Sequence, residues 1–347
     1  MKAGRVRNAS MSDVARHAGV ALGTVSNALN HPDKVADDTL RRIRAAIDEL
    51  GFVRNNQARS LATGQSHSIG MIVTDLGNSF FVDMARGAEQ GAQENNMTLL
   101  LANSDNTLAK EETYLDLFDQ ARFAGIVLAP FEASTEGLSR VRSHGRPVIL
   151  MNVASDLADG CSVVVDNEQG GYIATRHLID QGRRKIAFVG GPDRLEPLLQ
   201  RRLGVERAIA EEAGRVSLEE IIVPAVNTPE GRAVGLQIVD RASSDRPDGI
   251  VAATDLLAMG MTQSFEGRIA VPDEIALIGY DNNHAAGEST IPISTIAQPG
   301  FELGGAAARL LCDEIENPAT HTHQTVRLEP HLIVRRSSQS TATAQHS

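Results

Sequence analysis

Asp13-Val14-Ala15-Arg16-His17-Ala18-Gly19-Val20-Ala21-Leu22-Gly23-Thr24-Val25-Ser26-Asn27-Ala28-Leu29-Asn30 carries the spacing of two short helices joined at a glycine. Ser12 can cap a first helix running to Ala18, with Asp13 in the turn where the helix dipole favours an acid. Gly19 ends it, because a tight left-handed turn needs a residue without Cβ. A second helix is expected over Leu22–Leu29, where Val25 and Leu29 at i, i+4 can pack on Val14, Ala15 and Ala18. Its other face presents Leu22, Gly23, Ser26 and Asn27, short or polar groups. A third helix is predicted over Asp37–Leu50 from Leu40, Ile43, Ile47 and Leu50, with Gly51 at its end. Helix–Gly–helix spacing suits a helix-turn-helix, but it equally suits a small three-helix bundle with no nucleic-acid role.

Charge helps to choose between them. The 347-residue chain has a formal net charge of −11, which taken whole argues against DNA. Residues 1–66 nevertheless carry ten Lys/Arg against six acids, a balance of +4 that leaves −15 on the rest. A basic head on an acidic body approaches phosphate with the head alone. The length points to two or three domains. No apolar run reaches the ~18–20 residues that span a bilayer, and the basic Met1–Arg5 is not followed by a signal-peptide apolar segment, so a cytoplasmic location is expected. Cys161 and Cys312 are the only cysteines, too few for a disulfide framework, and read as structural thiols.

The quoted stretch, Asp48-Glu49-Leu50-Gly51-Phe52, and Asn55-Asn56-Gln57-Ala58-Arg59-Ser60-Leu61-Ala62-Thr63-Gly64 together resemble the lactose-repressor/galactose-repressor family, and the likeness continues to about Arg335. The resemblance implies that Leu22, Gly23 and Asn27 face bases in the major groove, with Thr24 and Ser26 near phosphate or base edges and Asn30 on the same DNA-facing helix. Ala21 stands where the family usually has a capping Ser, and Arg54 where it has a hinge Pro. Asn27 replaces a frequent Arg. Arginine reads guanine and asparagine suits adenine, so a different operator base is implied there. Asn56–Thr63 alone is too short for a stable helix and reads as a linker. The resemblance implies instead a hinge that folds on the operator, with Asn56 and Arg59 at the DNA and Leu61 wedged into the minor groove.

From Ser68 onward, apolar strand-like runs alternate with helical patterns, the signature of parallel βαβ units. Ten strands are expected: Ile69–Thr74, Thr98–Ala102, Gly125–Ala129, Pro147–Met151, Cys161–Val165, Lys185–Val189, Ile221–Val223, Gly249–Ala253, Ile275–Ile278 and Ser294–Ala297. That is many for one open sheet, so two are expected, with Pro/Gly breaks near Asp166–Gly171 and Pro292–Pro299 as crossovers. The resemblance implies a two-lobed α/β core like that of periplasmic binding proteins, with two parallel sheets and three crossovers. The expected division is a helix-turn-helix headpiece at 1–54, a hinge at 55–67, a first lobe at 68–165 plus 299–324, a second lobe at 166–298 plus 325–336, and a disordered tail at 337–347.

Ligands in such folds sit beyond the carboxyl ends of the strands. The candidates there are Asp75, Ser79, Phe80, Phe81, Asn103, Gln169, Arg201, Thr254, Asp255, Asp281 and Gln298. The resemblance makes Arg201 and Asp281 the clamping pair and Phe80 and Phe81 the wall. Phe80 and Phe81 suit a core equally well, and Asp255 suits a helix cap. Gly190-Gly191-Pro192 lacks dinucleotide spacing. His321, His323 and His331 lie near a chain return without a carboxylate cluster and read as solvated loop, so no metal is expected. With no acid/base pair or nucleophile elbow, the chain reads as a non-enzyme without a cofactor. The sequence reading is a dimeric regulator, expected to repress, on a palindromic double-stranded DNA operator. Its effector is a sugar or related polyol first and a nucleobase or nucleoside second. A solute-binding protein and an α/β enzyme are the competing classes.

Overall fold

The structure, a computed structural model, describes residues 9–52, 66–131 and 136–339. The chain divides into two compact units, Met1–Gln65 and Ser66–Ser347.

The first unit holds α1 (Met11–Ala18), α2 (Leu22–Asn30) and α3 (Asp37–Leu50). α1 begins two residues earlier than expected from Ser12. Ser10 is the cap, its Oγ accepting from Asp13 N while the Asp13 carboxylate accepts from Ser10 N, a reciprocal capping box. Gly19 and Gly51 take left-handed conformations (φ 64° and 59°) and close α1 and α3. Val14, Ala15 and Ala18 pack with Val25, Ala28, Ile43 and Ala46 into one small core. The alanines at the α1–α2 crossing let the helices approach closely.

The second unit contains two six-stranded sheets. The first has the order β2-β1-β3-β4-β5-β11, from β1 (Ser68–Val73), β2 (Thr98–Asn103), β3 (Ile126–Leu128), β4 (Val148–Met151), β5 (Ser162–Val165) and β11 (Thr325–Leu328), all parallel. The second has the order β7-β6-β8-β9-β10-β12, from β6 (Lys185–Gly190), β7 (Ser217–Ile222), β8 (Gly249–Ala252), β9 (Ala276–Tyr280), β10 (Ser294–Ala297) and β12 (His331–Ile333). β12 alone runs antiparallel to its neighbour in that sheet. Around the first sheet lie α4 (Ser79–Glu94), α5 (Leu108–Gln120), α6 (Glu136–Ser143) and α12 (Gly300–Glu316). Around the second lie α7 (Asn167–Asp180), α8 (Glu196–Ala210), α9 (Thr228–Val239), α10 (Asp255–Phe265) and the short α11 (His284–Gly287).

The chain passes between the sheets three times: after β5, after β10 and after β11. The expected first-lobe boundary at 324 shifts, because Thr325–Leu328 pairs with β5 and stays in the first sheet. β11 and β12 escaped the sequence reading because they are short edge strands with polar alternation instead of an apolar run. β7 likewise starts at Ser217, not Ile221, where the exposed Glu219 and Glu220 interrupt the apolar pattern. The expected disordered tail begins too early. Ser337 and Ser338 are fully buried, with Ser337 Oγ accepting from Ser294 N and donating to Leu277 O. That knot fixes the strand end to the second sheet.

Candidate functional site

In the first unit, α2 shows its outer face as Leu22, Gly23, Asn27 and Asn30, all exposed, with Thr24 and Ser26 half-buried beside them. Val25 and Ala28 turn inward, which fixes this rotation. No side chain caps α2 at Ala21, as the missing serine led us to expect, and Asn30 Nδ2 donates to Ser26 Oγ (3.3 Å). His17 and Glu49 tie α1 to α3 (2.7 Å). Asn56, Arg59 and Leu61 lie outside the described residues.

In the second unit a cleft of about 730 Å³, its open mouth included, lies between the lobes. The first lobe lines it with Thr74 and Asp75 after β1, Asn78, Phe80 and Phe81 at the start of α4, and Ala129, Pro130 and Phe131 after β3. The second contributes Leu195, Pro197, Leu198 and Arg201 of α8 and its approach, then Val226, Thr254, Leu256 and Asp281. Apart from Arg201, which stands in the second turn of α8, the polar contributors sit past a carboxyl strand end or at a helix start.

A buried polar knot forms the floor. Arg201 is 4% exposed and Asp281 5%. Arg201 Nη1 lies 3.3 Å from Asp281 Oδ1. Its Nε donates to Asn167 Oδ1 (2.9 Å) and its Nη1 to the Ala253 carbonyl, while the guanidinium stacks 3.6 Å above the Tyr280 ring. Asp281 further accepts from Asn78 Nδ2 and Gln298 Nε2, each at 2.7 Å. Its backbone at φ 101° is a strained conformation for a side-chain-bearing residue, and it turns the carboxylate toward Arg201. Burial raises the Asp281 carboxyl above its ordinary value, with Arg201 and then Asn78 and Gln298 pulling the other way. Burial, and next the Asp281 charge, push Asp255 well above the carboxylate range. Burial also raises the Tyr280 phenol.

Of the effector candidates, Asp75, Phe80, Phe81, Arg201, Thr254 and Asp281 line the cleft and five others do not. Asp255 is wholly buried and accepts from Asn283 N (2.6 Å), and the cap of α10 is Thr254 instead. Gln298 lies behind Asp281 and holds it. Ser79 Oγ accepts from His284 N (3.0 Å), a contact between lobes. Asn103 turns to Asp105, and Gln169 lines a separate polar cavity, bonded to Arg207. Asn167 and Phe131 were not anticipated, whereas Asn78 and Tyr280 stand at the helix start and strand end that the sequence marks, outside the chosen effector set. Asn78 carried a legible signal, an Asn just before a helix, since its side chain caps α4 at Phe80 N. Asn167 and Tyr280 act by supporting Arg201, which no local pattern announces.

Two family models match the chain: bacterial regulatory proteins of the lacI family over residues 10–55, and the periplasmic binding protein-like domain over residues 175–338. Among curated relatives, the HTH-type transcriptional repressor PurR of Photobacterium profundum is 31% identical over 331 residues, 95% of this chain and 98% of that one. PurR of Erwinia tasmaniensis is 32% identical over 332 residues, covering 95% and 96%. A crystal structure of the Lac repressor dimer bound to operator and an anti-inducer superposes with a TM-score of 0.81 at 20% identity, covering 96% of this chain and all of that one. A LacI family regulator from Enterococcus faecium with bound ribose has a TM-score of 0.69 at 28% identity, covering 78% and 98%. The chain therefore belongs to the lacI family of bacterial regulatory proteins: a DNA-binding transcriptional repressor that joins a helix-turn-helix headpiece to a two-lobed core built to take a small-molecule effector.

Proposed function

We propose that the effector is a flat nitrogen heterocycle of the nucleobase class, bound between the Phe80/Phe81/Phe131 wall and the Arg201–Asp281 floor. The observation that carries this is the division of the cleft. Ten of its eighteen lining residues are Phe, Leu, Pro, Val or Ala, with three phenylalanines all from the first lobe, and the polar remainder is Thr74, Asp75, Asn78, Asn106, Asn152, Arg201, Thr254 and Asp281. A polyol shows hydroxyls around its whole rim, and each one buried without a partner costs about 1–3 kcal/mol. A nucleobase needs polar partners along its edge only and offers two faces to aromatic rings. This reverses the order suggested by the sequence, which placed sugars first. The sugar reading keeps support from similar regulators solved with ribose, with D-xylulofuranose and with cellobiose. We further propose that Leu22, Gly23, Thr24, Ser26, Asn27 and Asn30 read the operator, with Asn56, Arg59 and Leu61 joining them on DNA.

Effector binding alters operator affinity only through a difference in affinity for two arrangements of the core. Fluorescence anisotropy on palindromic DNA, with nucleobases, nucleosides and sugars titrated in turn, tests the reading. A shift in operator affinity by a nucleobase, lost in Arg201→Ala, is the expected result. A response to a pentose or hexose and to no base would replace it with the sugar reading.

A further inference from the structure

His321 and His323 read as solvated loop in the sequence for want of nearby carboxylates. The fold supplies them. The last turn of α12 carries Asp313 and Glu314, and the return from α12 to β11 brings His321, His323 and Gln324 alongside Cys161, the residue before β5. Cys161 is fully buried, and the His321 side chain is 2% exposed. Ligand atoms of Cys161, Glu314 and His321 lie within 4.8 Å of one another.

The hydrogen bonds around this cluster orient it. His321 Nδ1 meets Asp313 Oδ2 at 2.6 Å, and His323 Nδ1 meets the Leu157 carbonyl at 3.0 Å. Both partners accept, so both Nδ1 atoms donate and the Nε2 atoms face the other way. His321 Nε2 faces Cys161 Sγ at 3.2 Å and Glu314 Oε2 at 3.8 Å. His323 Nε2 lies 3.3 Å from Glu314 Oε1. Glu314 Oε2 is buried with no hydrogen-bond partner among the described residues, and Cys161 Sγ already accepts from Gln324 N (3.2 Å). Lone pairs of sulfur, imidazole and carboxylate thus converge on one point. Each imidazole has its outer nitrogen anchored to an oxygen acceptor, the outer-shell arrangement that prepares histidine for a metal.

We propose that Cys161, Glu314 and His321 bind a divalent cation of the zinc class, with His323 beside the fourth position. The mixed S, N, O set suits zinc and does not suit magnesium or calcium. Coordination displaces the Cys161 thiol proton to solvent and forms a metal–sulfur bond. The site joins the start of β5, the last turn of α12 and the loop into β11. It lies at the amino ends of the strands, away from the effector cleft, so it is separate from the effector site and serves the first lobe as a clamp.

The test uses the full chain, stripped with a chelator and titrated with Co²⁺ and then Zn²⁺. The expected result is one equivalent of cobalt with thiolate-to-cobalt absorption in the near ultraviolet, displaced by zinc, and a zinc-dependent rise in melting temperature. Cys161→Ser and His321→Gln should each weaken binding at least about 100-fold, and Asp313→Asn about 10–100-fold. Cys312→Ser should leave the absorption intact. Absence of thiolate–cobalt absorption in the parent chain, or its persistence in Cys161→Ser, would overturn the proposal.

Discussion

Asp281, just past β9, and Asp255, the first residue of α10, are both buried carboxyls and make opposite predictions. Removing Asp281 strands the buried Arg201 charge, so Asp281→Ala should cost about 3–5 kcal/mol by urea denaturation and abolish the effector response. Arg201→Lys should also lose the response, since an ammonium cannot span Asn167, Asp281 and the Ala253 carbonyl from one planar group. Asp255 carries an elevated carboxyl pKa. Its stabilising neutral form is fully present below the unfolded value near 3.8 and is lost as pH rises toward the raised folded value. Asp255→Asn is neutral throughout, so its advantage over the parent should be small near pH 3 and grow with pH. A constant difference in denaturant midpoint from pH 3 to pH 8 would contradict this. In the headpiece, Asn27→Ala should cost about 1–3 kcal/mol of discrimination at one operator base pair, read by competition with single-base variants.

At the level of elements, glycines set how closely the helices pack. A Cβ on Gly171 of α7 would lie 2.0 Å from the Arg201 carbonyl oxygen, and one on Gly204 of α8 would lie 1.9 Å from that of Glu168. The two helices touch backbone to backbone, and this contact seats Arg201 over Tyr280. Gly171→Ala should therefore force α8 outward, at about 1–3 kcal/mol, and weaken effector binding more than a comparable change far from the cleft, as calorimetry would show. In the first unit Ser10→Ala should cost about 1 kcal/mol, because the capping box fails. Elements with a strong period were readable in advance. α3 starts and stops where its apolar spacing and Gly51 predict, and β10 matches residue for residue. β11 and β12 were missed and β7 was started four residues late, because charged and polar residues interrupt their apolar run, whereas the edge strand β2 was legible through its continuous Leu99–Leu101. The site was legible where a residue follows a strand end, as Asp75 and Asp281 do. It was hidden where a hydrogen-bond partner turns a candidate away, as Asp105, two residues on, does to Asn103 and Asp281 to Gln298.

Across the whole molecule, charge separates the two tasks. The basic first 66 residues meet phosphate while the acidic remainder is repelled, so operator affinity should fall steeply with salt, with a log–log slope near −0.9 for each phosphate neutralised. A flat dependence between 50 and 200 mM salt would contradict headpiece binding. The lobes meet through Asn78 with Asp281 and Asn283, and through His284 with Ser79 and Asp83. The effector cleft opens beside these contacts, so an occupant acts where the lobes already touch. The threefold passage of the chain between the sheets also imposes an order on synthesis. The headpiece is complete within the first few dozen residues, whereas β5 waits for β11 and β10 for β12, near the end of the chain. At ~5–20 residues per second on the ribosome, β5 waits roughly ten to thirty seconds for β11, and β10 only a few seconds for β12. The nascent protein thus acquires its DNA-reading part well before the part that controls it, and a message broken before the last two strands yields heads with no working control.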